Sequence, residues 1–294
     1  MPILPTAELG LPAPAARKLV LRHALATRIT HWINTLCVTV LLMSGLQIFL
    51  AHPALYWGQF GVDADRPAFE IGAETVAGAQ RGFVRLGAAT LETTGVLGLV
   101  PGADGDLSER AFPRWATIPG WRDLALGRRW HFFFAWLFVA NLSAYYGFGL
   151  VNRHLRRDLA PTRAQLSPRA ILADIVDHLQ LKFSKGEAAL HYNPLQKLAY
   201  LGVISALLPT MVLTGLTMSP GIDAILPWLV DLFGGRQSAR TIHFIAASLL
   251  LLFVVVHLVM VVLAGPINGV RAMITGKLAI SKEDDHEPHS APHP

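Results

Sequence analysis

Two histidines near the C-terminal end, His243 and His257, have the type and spacing of metal ligands. Both lie in one apolar run from Thr241 to Ala264, fourteen positions apart. In an α-helix that step returns to within about 40° of the same face and advances about 21 Å along the axis. One helix therefore presents an imidazole near each side of a bilayer, which predicts two stacked metal or haem sites inside a membrane.

The composition is that of an integral membrane protein. Of the 294 residues, 52% are hydrophobic and only 15% are charged, whereas an average soluble domain has about 25% charged residues. The single cysteine, Cys37, excludes an intrachain disulfide framework and a cysteine-ligated iron–sulfur cluster. The net charge of +5 comes without a basic arm or a phosphate-binding glycine loop, so we expect no nucleic-acid partner.

Apolar runs of about 20 residues predict an all-α membrane protein with a bundle of four transmembrane helices. These spans are Ile29–Leu50, Trp130–Val151, Leu198–Ser219 and Thr241–Ala264. Pro209 should kink the third span. The runs Leu86–Val100 and Ala224–Phe233 are too short to cross a bilayer and each contains an acidic residue, so they are interpreted as surface helices.

Basic residues predict the direction of the spans. They precede the first span and follow the second and fourth, so both termini and the loop 152–197 are expected to be cytoplasmic. Residues 51–129 then form a long periplasmic loop, where a partner can dock. We expect the domain of four helices to cover 29–264, between a cytoplasmic segment, 1–28, and a cytoplasmic, partly disordered tail, 265–294.

Four histidines within the spans are predicted to pair at two depths. The first and fourth spans run antiparallel, which brings His31 level with His257; the second and fourth run parallel, which brings His131 level with His243. Two imidazoles per site, with no carboxylate or thiolate, suit a six-coordinate haem b. A divalent-metal transporter is the alternative, but it needs acidic residues within the spans, and the four spans contain none.

Arginine and glycine accompany these histidines. Arg28, Arg128 and Arg240 each lie three residues before a histidine, so guanidinium and imidazole share a helix face, where arginine suits a haem propionate. Gly45 and Gly147 lie on the first two spans and leave bare backbone for a flat macrocycle. Each feature alone is also typical of ordinary membrane helices, whose ends carry arginine and whose contacts use glycine.

The pattern resembles that of the bacterial di-haem cytochrome b family, of the cytochrome b-561 and nickel-hydrogenase type. The matching stretches are RITHW with a later SG, RRWHFFFAWLF and RTIHFIAASLLLLFVVVHL, within residues 22–276. The family includes membrane subunits of formate dehydrogenase and thiosulfate reductase. The stretches HPALYWG and HYNPLQKLAYL resemble members that serve periplasmic molybdenum oxidoreductases.

The resemblance implies two haem b groups, held by His31 with His257 and by His131 with His243. It implies a subunit of the bacterial cytoplasmic membrane that transfers electrons between a periplasmic redox partner, a molybdenum oxidoreductase, and the quinone pool. The alternative is a stand-alone quinone-linked oxidoreductase such as a superoxide oxidase, against which the long loop 51–129 argues because it offers a docking surface. Association into a homodimer is left open.

The resemblance also implies a quinone site near the cytoplasmic haem. Its candidate residues are His191, Tyr192, Asn193 and Lys197, at the entrance to the third span. The same stretch equally predicts an ordinary helix start, with Asn193 as N-cap and Pro194 at the first helical position.

Overall fold

A computed structural model describes residues 17–61, 65–153, 157, 159–182 and 190–281. The chain forms two compact units. The first comprises Met1–Ile29, Phe148–Leu201 and Val256–Pro294, and the second comprises Thr30–Gly147 and Gly202–Val255. Most of the polar tail that was expected to be disordered lies outside the described residues.

Helices account for most of the described residues. In chain order they are α1 (Leu25–Phe49), α2 (Leu124–Val151), α3 (Pro168–Leu179), α4 (Pro194–Gly202), α5 (Leu208–Thr217), α6 (Pro220–Ile225), α7 (Trp228–Leu232), α8 (Arg236–Leu263) and α9 (Pro266–Thr275). Four stretches of the described residues are long and apolar enough to cross a membrane: α1, α2, α8 and the continuous stretch Pro194–Thr217. The prediction of four spans is confirmed, and α6 and α7 are short helices where Ala224–Phe233 was interpreted as a surface helix.

The third span is interrupted where Pro209 was expected to kink it. A π-helical turn, Val203–Leu207, joins α4 to α5, and Pro209 lies in the first turn of α5. In the π pattern the carbonyl of Ile204 would accept from residue 209, which is a proline and has no N–H. The hydroxyl of Tyr146, on α2, donates to that carbonyl instead, so α2 supplies the donor that the proline lacks.

In the second unit, α1 and α2 are joined by a polar contact as well as by apolar packing. The side-chain amide of Asn141 donates to the Thr30 carbonyl at 2.8 Å and to Asn34 Oδ1 at 2.7 Å. Asn141 is buried, and a satisfied buried amide fixes the register of two helices that apolar contacts alone leave free to slide. The apolar core beside it is formed by Cys37, Val40, Phe134, Phe138, Leu142, Leu208 and Leu250.

Strands are also present, so the all-α prediction is too simple. They are β1 (Arg17–Leu21), β2 (Ala54–Leu55), β3 (Phe69–Val76), β4 (Ala79–Leu86), β5 (Ala89–Glu92), β6 (Leu99–Pro101), β7 (Leu107–Glu109) and β8 (Lys277–Ser281). Between α1 and α2, antiparallel strands form one sheet in the order β2–β3–β4–β5, and β6 pairs with β7. In the first unit, β1 pairs with β8.

The surface helix expected over Leu86–Val100 is wrong. That stretch begins at the end of β4, contains β5 and ends within β6. Two-residue turns explain the difference: Ala77 and Gly78, with φ of 52° and 82°, connect β3 to β4, as in a type I′ hairpin. A second two-residue turn at Gly87 connects Leu86 to Ala89, so the polypeptide reverses before a helix can form.

The sheet region is tied to the start of α8. The Gly58 carbonyl accepts from the backbone N–H of Gln237 and Ser238 at 3.0 and 3.1 Å, and Gln59 Oε1 accepts from the N–H of Arg236 at 3.0 Å. These bonds satisfy the N–H groups that the first turn of a helix leaves without intrahelical partners. Phe244 of α8 stacks on Phe49, at the end of α1, at 4.9 Å. The segment after α1 therefore fixes where α8 begins.

Candidate functional site

His131 and His243 face each other in the second unit. His131 lies on α2 and His243 on α8, and their ring centroids are 6.4 Å apart with an angle of 64° between the ring planes. The structure thus brings together the two residues that the sequence places at the same depth. Among the described residues, no cluster of three or more histidine, cysteine, aspartate or glutamate side chains has metal-binding geometry.

A buried hydroxyl contacts the Nδ1 atom of each of these histidines. Ser44 Oγ, on α1, lies 3.1 Å from His131 Nδ1, and Thr214 Oγ1, on α5, lies 3.0 Å from His243 Nδ1. Each hydroxyl donates its own hydrogen to the carbonyl four residues earlier in its helix, at 2.6 Å in both cases. The oxygen is therefore the acceptor towards the imidazole, Nδ1 carries the proton, and Nε2 keeps the lone pair that binds iron.

Glycine follows each hydroxyl and makes room for the imidazole. A Cβ atom at Gly45 would lie 3.3 Å from His131 Cε1, and one at Gly215 would lie 3.4 Å from His243 Cε1. Gly45 was predicted to expose backbone to a macrocycle, and in the structure its bare backbone lies against the ligand ring itself. Around Gly147, the other predicted glycine, a Cβ atom would meet no described atom within 4 Å.

The pair has the dimensions that a haem iron requires. Two imidazole-to-metal bonds of about 2 Å, one on each side of one ion, place the ring centres about 6 Å apart, and the observed separation is 6.4 Å. The hydroxyl contacts at Nδ1 favour the tautomer that leaves Nε2 available for the iron. The distance between the rings therefore fits a haem iron, which His131 and His243 would hold between them.

The other two predicted ligands belong to different units. His31, on α1, is in the second unit, and its ring lies edge-on to that of Trp32. His257, on α8, is in the first unit, and its ring centroid lies 6.5 Å from that of Tyr200 on α4. The pairing of His31 with His257 stays a prediction.

The three predicted propionate-binding arginines all contact protein groups. Arg28 Nη1 donates to the Ile274 carbonyl at 2.5 Å. Arg128 lies over the ring of Phe132, one turn further along α2. Arg240 donates to the carbonyls of His52 and Ala54 at 2.5 and 2.9 Å. Arg240 therefore anchors the segment after α1, a role that the Arg-x-x-His spacing does not indicate.

The predicted quinone stretch forms the start of α4 in the first unit. The backbone N–H of Asn193 donates to Gln196 Oε1 at 3.3 Å, the reciprocal half of a capping box. Lys197 Nζ donates to Gln165 Oε1 at 3.2 Å, and the rings of Tyr192 and Tyr200 meet edge to face at 5.4 Å. His191 is exposed at the beginning of the stretch. The helix-start interpretation is thus supported by contacts, and Tyr192 connects the stretch to Tyr200.

A polar cavity of about 430 Å³ lies on the region between α1 and α2. It is lined by Asp104, Asp106, Glu109, Arg110, Arg114, Trp121 and Arg122, among others. Burial, together with the charges of Arg122 and Arg114, lowers the pKa of Arg110. Arg110 donates to Thr117 Oγ1 at 2.7 Å and to Gln47 Oε1 at 3.3 Å, so it joins this region to α1 while its neighbours Arg114 and Arg122 line the cavity.

Ser44 and Thr214 are the site residues that the sequence analysis missed. A single serine or threonine in a membrane helix is usually explained by a bond to its own helix, and both residues make such a bond. A signal was available in the dipeptides Ser44-Gly45 and Thr214-Gly215, in which a hydroxyl residue precedes glycine on the first and on the third span.

Known protein sequences match this chain over most of its length. A sequence model of the family described as prokaryotic cytochrome b561 matches residues 22–276. The chain is 31% identical over 236 residues to an Azospira oryzae protein named putative protein-methionine-sulfoxide reductase subunit YedZ1, an alignment that covers 80% of this chain and 87% of the relative. No solved structure matches the chain significantly.

Proposed function

Because the chain belongs to the prokaryotic cytochrome b561 family, which consists of haem-binding electron-transfer proteins of the membrane, we propose that it moves electrons between the quinone pool and a periplasmic oxidoreductase. The observation that carries this proposal is the facing pair of His131 and His243, whose rings are 6.4 Å apart and whose Nδ1 atoms are held by buried hydroxyls.

The proposal assigns two haem b groups to the chain. When bound, each supplies an iron that gains and loses one electron. His131 and His243 would hold one group, and His31 and His257 the other. Support for the second pair comes from α8, a continuous helix that carries both His243 and His257 with the spacing that presents two ligands on one face.

A quinone site is proposed at the start of α4. Conversion of a quinone to a quinol consumes two electrons and two protons, so the site needs both a route from a haem ligand and groups that exchange protons. Tyr200 lies beside His257, and Tyr192 lies beside Tyr200, which connects the candidate ligand to this stretch through aromatic rings. His191 and Lys197 are the titratable groups proposed to exchange protons with the quinone.

The proposed orientation places both termini in the cytoplasm and the region between α1 and α2 in the periplasm. It is supported by the basic residues that flank the first, second and fourth spans. The periplasmic partner is proposed to be an oxidoreductase of the kind to which the Azospira oryzae relative is named a subunit. The polar cavity at Arg114 and Arg122 offers that partner a charged docking surface.

The test is haem stoichiometry, measured by the pyridine haemochrome assay on purified protein. The unsubstituted chain should contain two haems, and His243→Ala and His257→Ala should each lose one, because each substitution removes one axial ligand. His52→Ala is the matched control: its ring stacks on Tyr56 outside the proposed ligand set, so it should retain two. Two haems in both ligand variants would refute the assignment.

The partner and the quinone are tested separately. Added quinol should reduce the haems of the chain in membranes that contain it. The periplasmic oxidoreductase should co-purify with the chain in mild detergent. If the isolated chain turned over a small substrate with quinone and bound no partner, the subunit proposal would be wrong and the stand-alone oxidoreductase would replace it.

A further inference from the structure

The site of His131 and His243 is built from two equivalent halves. In one half, Ser44 and Gly45 of α1 meet His131 of α2. In the other, Thr214 and Gly215 of α5 meet His243 of α8. A hydroxyl residue followed directly by glycine thus contacts the histidine of another long helix in both halves.

The two halves agree in their distances. The hydroxyl oxygens lie 3.1 and 3.0 Å from Nδ1, and the missing Cβ atoms of the glycines would lie 3.3 and 3.4 Å from Cε1. Ser44 and Thr214 are both 0% exposed. A buried polar group with a fully satisfied hydrogen-bond set holds its neighbours in one arrangement, so both imidazoles are restrained in position and in rotation.

We propose that Ser44 and Thr214 are positioning residues that fix the tautomer and the ring plane of His131 and His243 and thereby lower the reduction potential of the haem between them. This inference rests on the proposed function. Each hydroxyl donates to the carbonyl four residues earlier and so accepts the Nδ1 proton. A hydrogen bond from Nδ1–H makes the imidazole a stronger electron donor, which favours the oxidised iron.

The chain itself offers matched variants. Ser44→Ala and Thr214→Val remove one hydroxyl each, while Ser44→Thr and Thr214→Ser keep it. Ser143 on α2 and Ser248 on α8 also donate to the carbonyl four residues earlier, but both are exposed. Ser143→Ala and Ser248→Ala therefore remove an equivalent helix bond without touching a ligand.

The experiment is a redox titration of the purified protein, monitored by haem absorbance, together with electron paramagnetic resonance of the oxidised form. We expect Ser44→Ala and Thr214→Val to shift one of the two midpoint potentials upwards and to alter the low-spin signal of that haem, which depends on the angle between the imidazole planes. The other haem should be unchanged. Ser44→Thr, Thr214→Ser and the two exposed-serine variants should match the unsubstituted protein.

Loss of one haem in Ser44→Ala, with retention in Ser44→Thr, would also support the proposal, because Ser44→Thr keeps the hydroxyl that Ser44→Ala removes. Unchanged potentials and signals in Ser44→Ala and Thr214→Val would overturn it while leaving the two-haem assignment intact. Equal shifts in the hydroxyl-retaining variants would overturn it too, since they would point to volume rather than hydrogen bonding. An unsubstituted chain without haem would remove the proposed function as well.

Discussion

The two candidate ligands on α8 have different surroundings. His243 faces a second histidine, contacts the Thr214 hydroxyl through its Nδ1 atom and lies against the bare backbone of Gly215. His257 lies in the first unit, where its ring centroid is 6.5 Å from that of Tyr200. The same helix thus carries one candidate ligand that meets a second histidine and a buried hydroxyl, and another that meets a tyrosine ring.

The contacts in the first unit strengthen this contrast. Asp174 Oδ2 accepts from the N–H of Leu195 at 2.9 Å, and Asp174 Oδ1 lies 3.1 Å from His178 Nδ1. Asp174 therefore connects α3 to the start of α4, where Lys197 also lies. Electron transfer through a fixed ligand pair requires little rearrangement, whereas quinone chemistry requires protons. On these grounds we propose that quinone reacts in the His257 region, whereas the His243 region passes electrons without protons.

The largest expected effect is a difference between the His257→Ala and His243→Ala variants in the rate at which quinol reduces the haem that remains. In His257→Ala, quinol should reduce the remaining haem at least about tenfold more slowly than in the unsubstituted protein, because the haem nearest the proposed quinone site is gone. In His243→Ala the rate should stay within about twofold. Stopped-flow absorbance after mixing with a quinol measures both. Equal slowing in the two variants would contradict the proposed difference between the two regions.

A second substitution tests the packing around the fixed pair. Gly45→Val would place side-chain carbons against His131 Cε1, which lies 3.3 Å from the position of a Cβ atom. Overpacking of this kind costs about 1–3 kcal/mol. We expect haem to be lost at a lower temperature, measured by the thermal decay of the Soret absorbance. Gly202→Val is the control, since a Cβ atom there meets no described atom within 4 Å; equal decay in both variants would contradict the packing role.

Much of the His243 region could be predicted from sequence because its signals are strong and local. Apolar runs of sufficient length identify the four spans, and a histidine on each of two parallel spans can meet at only one depth. The positions of Ser44 and Thr214 could not be predicted in this way. The sequence of a serine or threonine that bonds to its own helix does not reveal whether its oxygen also faces a histidine of another helix.

The strands between α1 and α2 illustrate a different limit. The stretch Leu86–Val100 is apolar enough to suggest a surface helix, but a two-residue turn between Leu86 and Ala89 reverses the chain there, and that turn has a positive φ of 56° at Gly87. Likewise Pro209 predicts a kink, whereas the π-helical turn before it depends on a hydroxyl from another helix, that of Tyr146. The hairpin turn is local, whereas the π-helical turn has its partner on another helix.

Tyr146→Phe tests the π-helical turn Val203–Leu207. This turn joins α4, which carries Tyr200, to α5, which carries Thr214. It leaves the Ile204 carbonyl without the Tyr146 donor, which should cost about 1–2 kcal/mol. The midpoint temperature of unfolding in detergent should fall, and the haem signal of the His131 and His243 site should broaden. Ser143→Ala on the same helix removes only an exposed bond and should change the midpoint little. A stable Tyr146→Phe protein would show that the turn needs no such donor.

The smallest expected effect comes from a substitution in the strands, which tests whether the His243 site depends on them. Arg85 pairs with Glu70 at 2.7 Å and with Glu74 at 3.1 Å across β3 and β4, and Phe69, next to Glu70, lies 5.4 Å from Phe244. These partly exposed pairs contribute about 0.2–1 kcal/mol. Arg85→Gln should lower the unfolding midpoint slightly and leave both haem potentials unchanged.

High salt supplies the control for that small effect, because screening weakens exposed ion pairs. The difference between Arg85→Gln and the unsubstituted protein should shrink as the salt concentration rises. The pair of Arg81 with Glu92 is more exposed, at 48% and 55% of the two side chains, so Arg81→Gln should have a still smaller effect. A shift in the potential of one haem in Arg85→Gln would instead mean that the strands position Phe244, and through it the ring of the neighbouring His243.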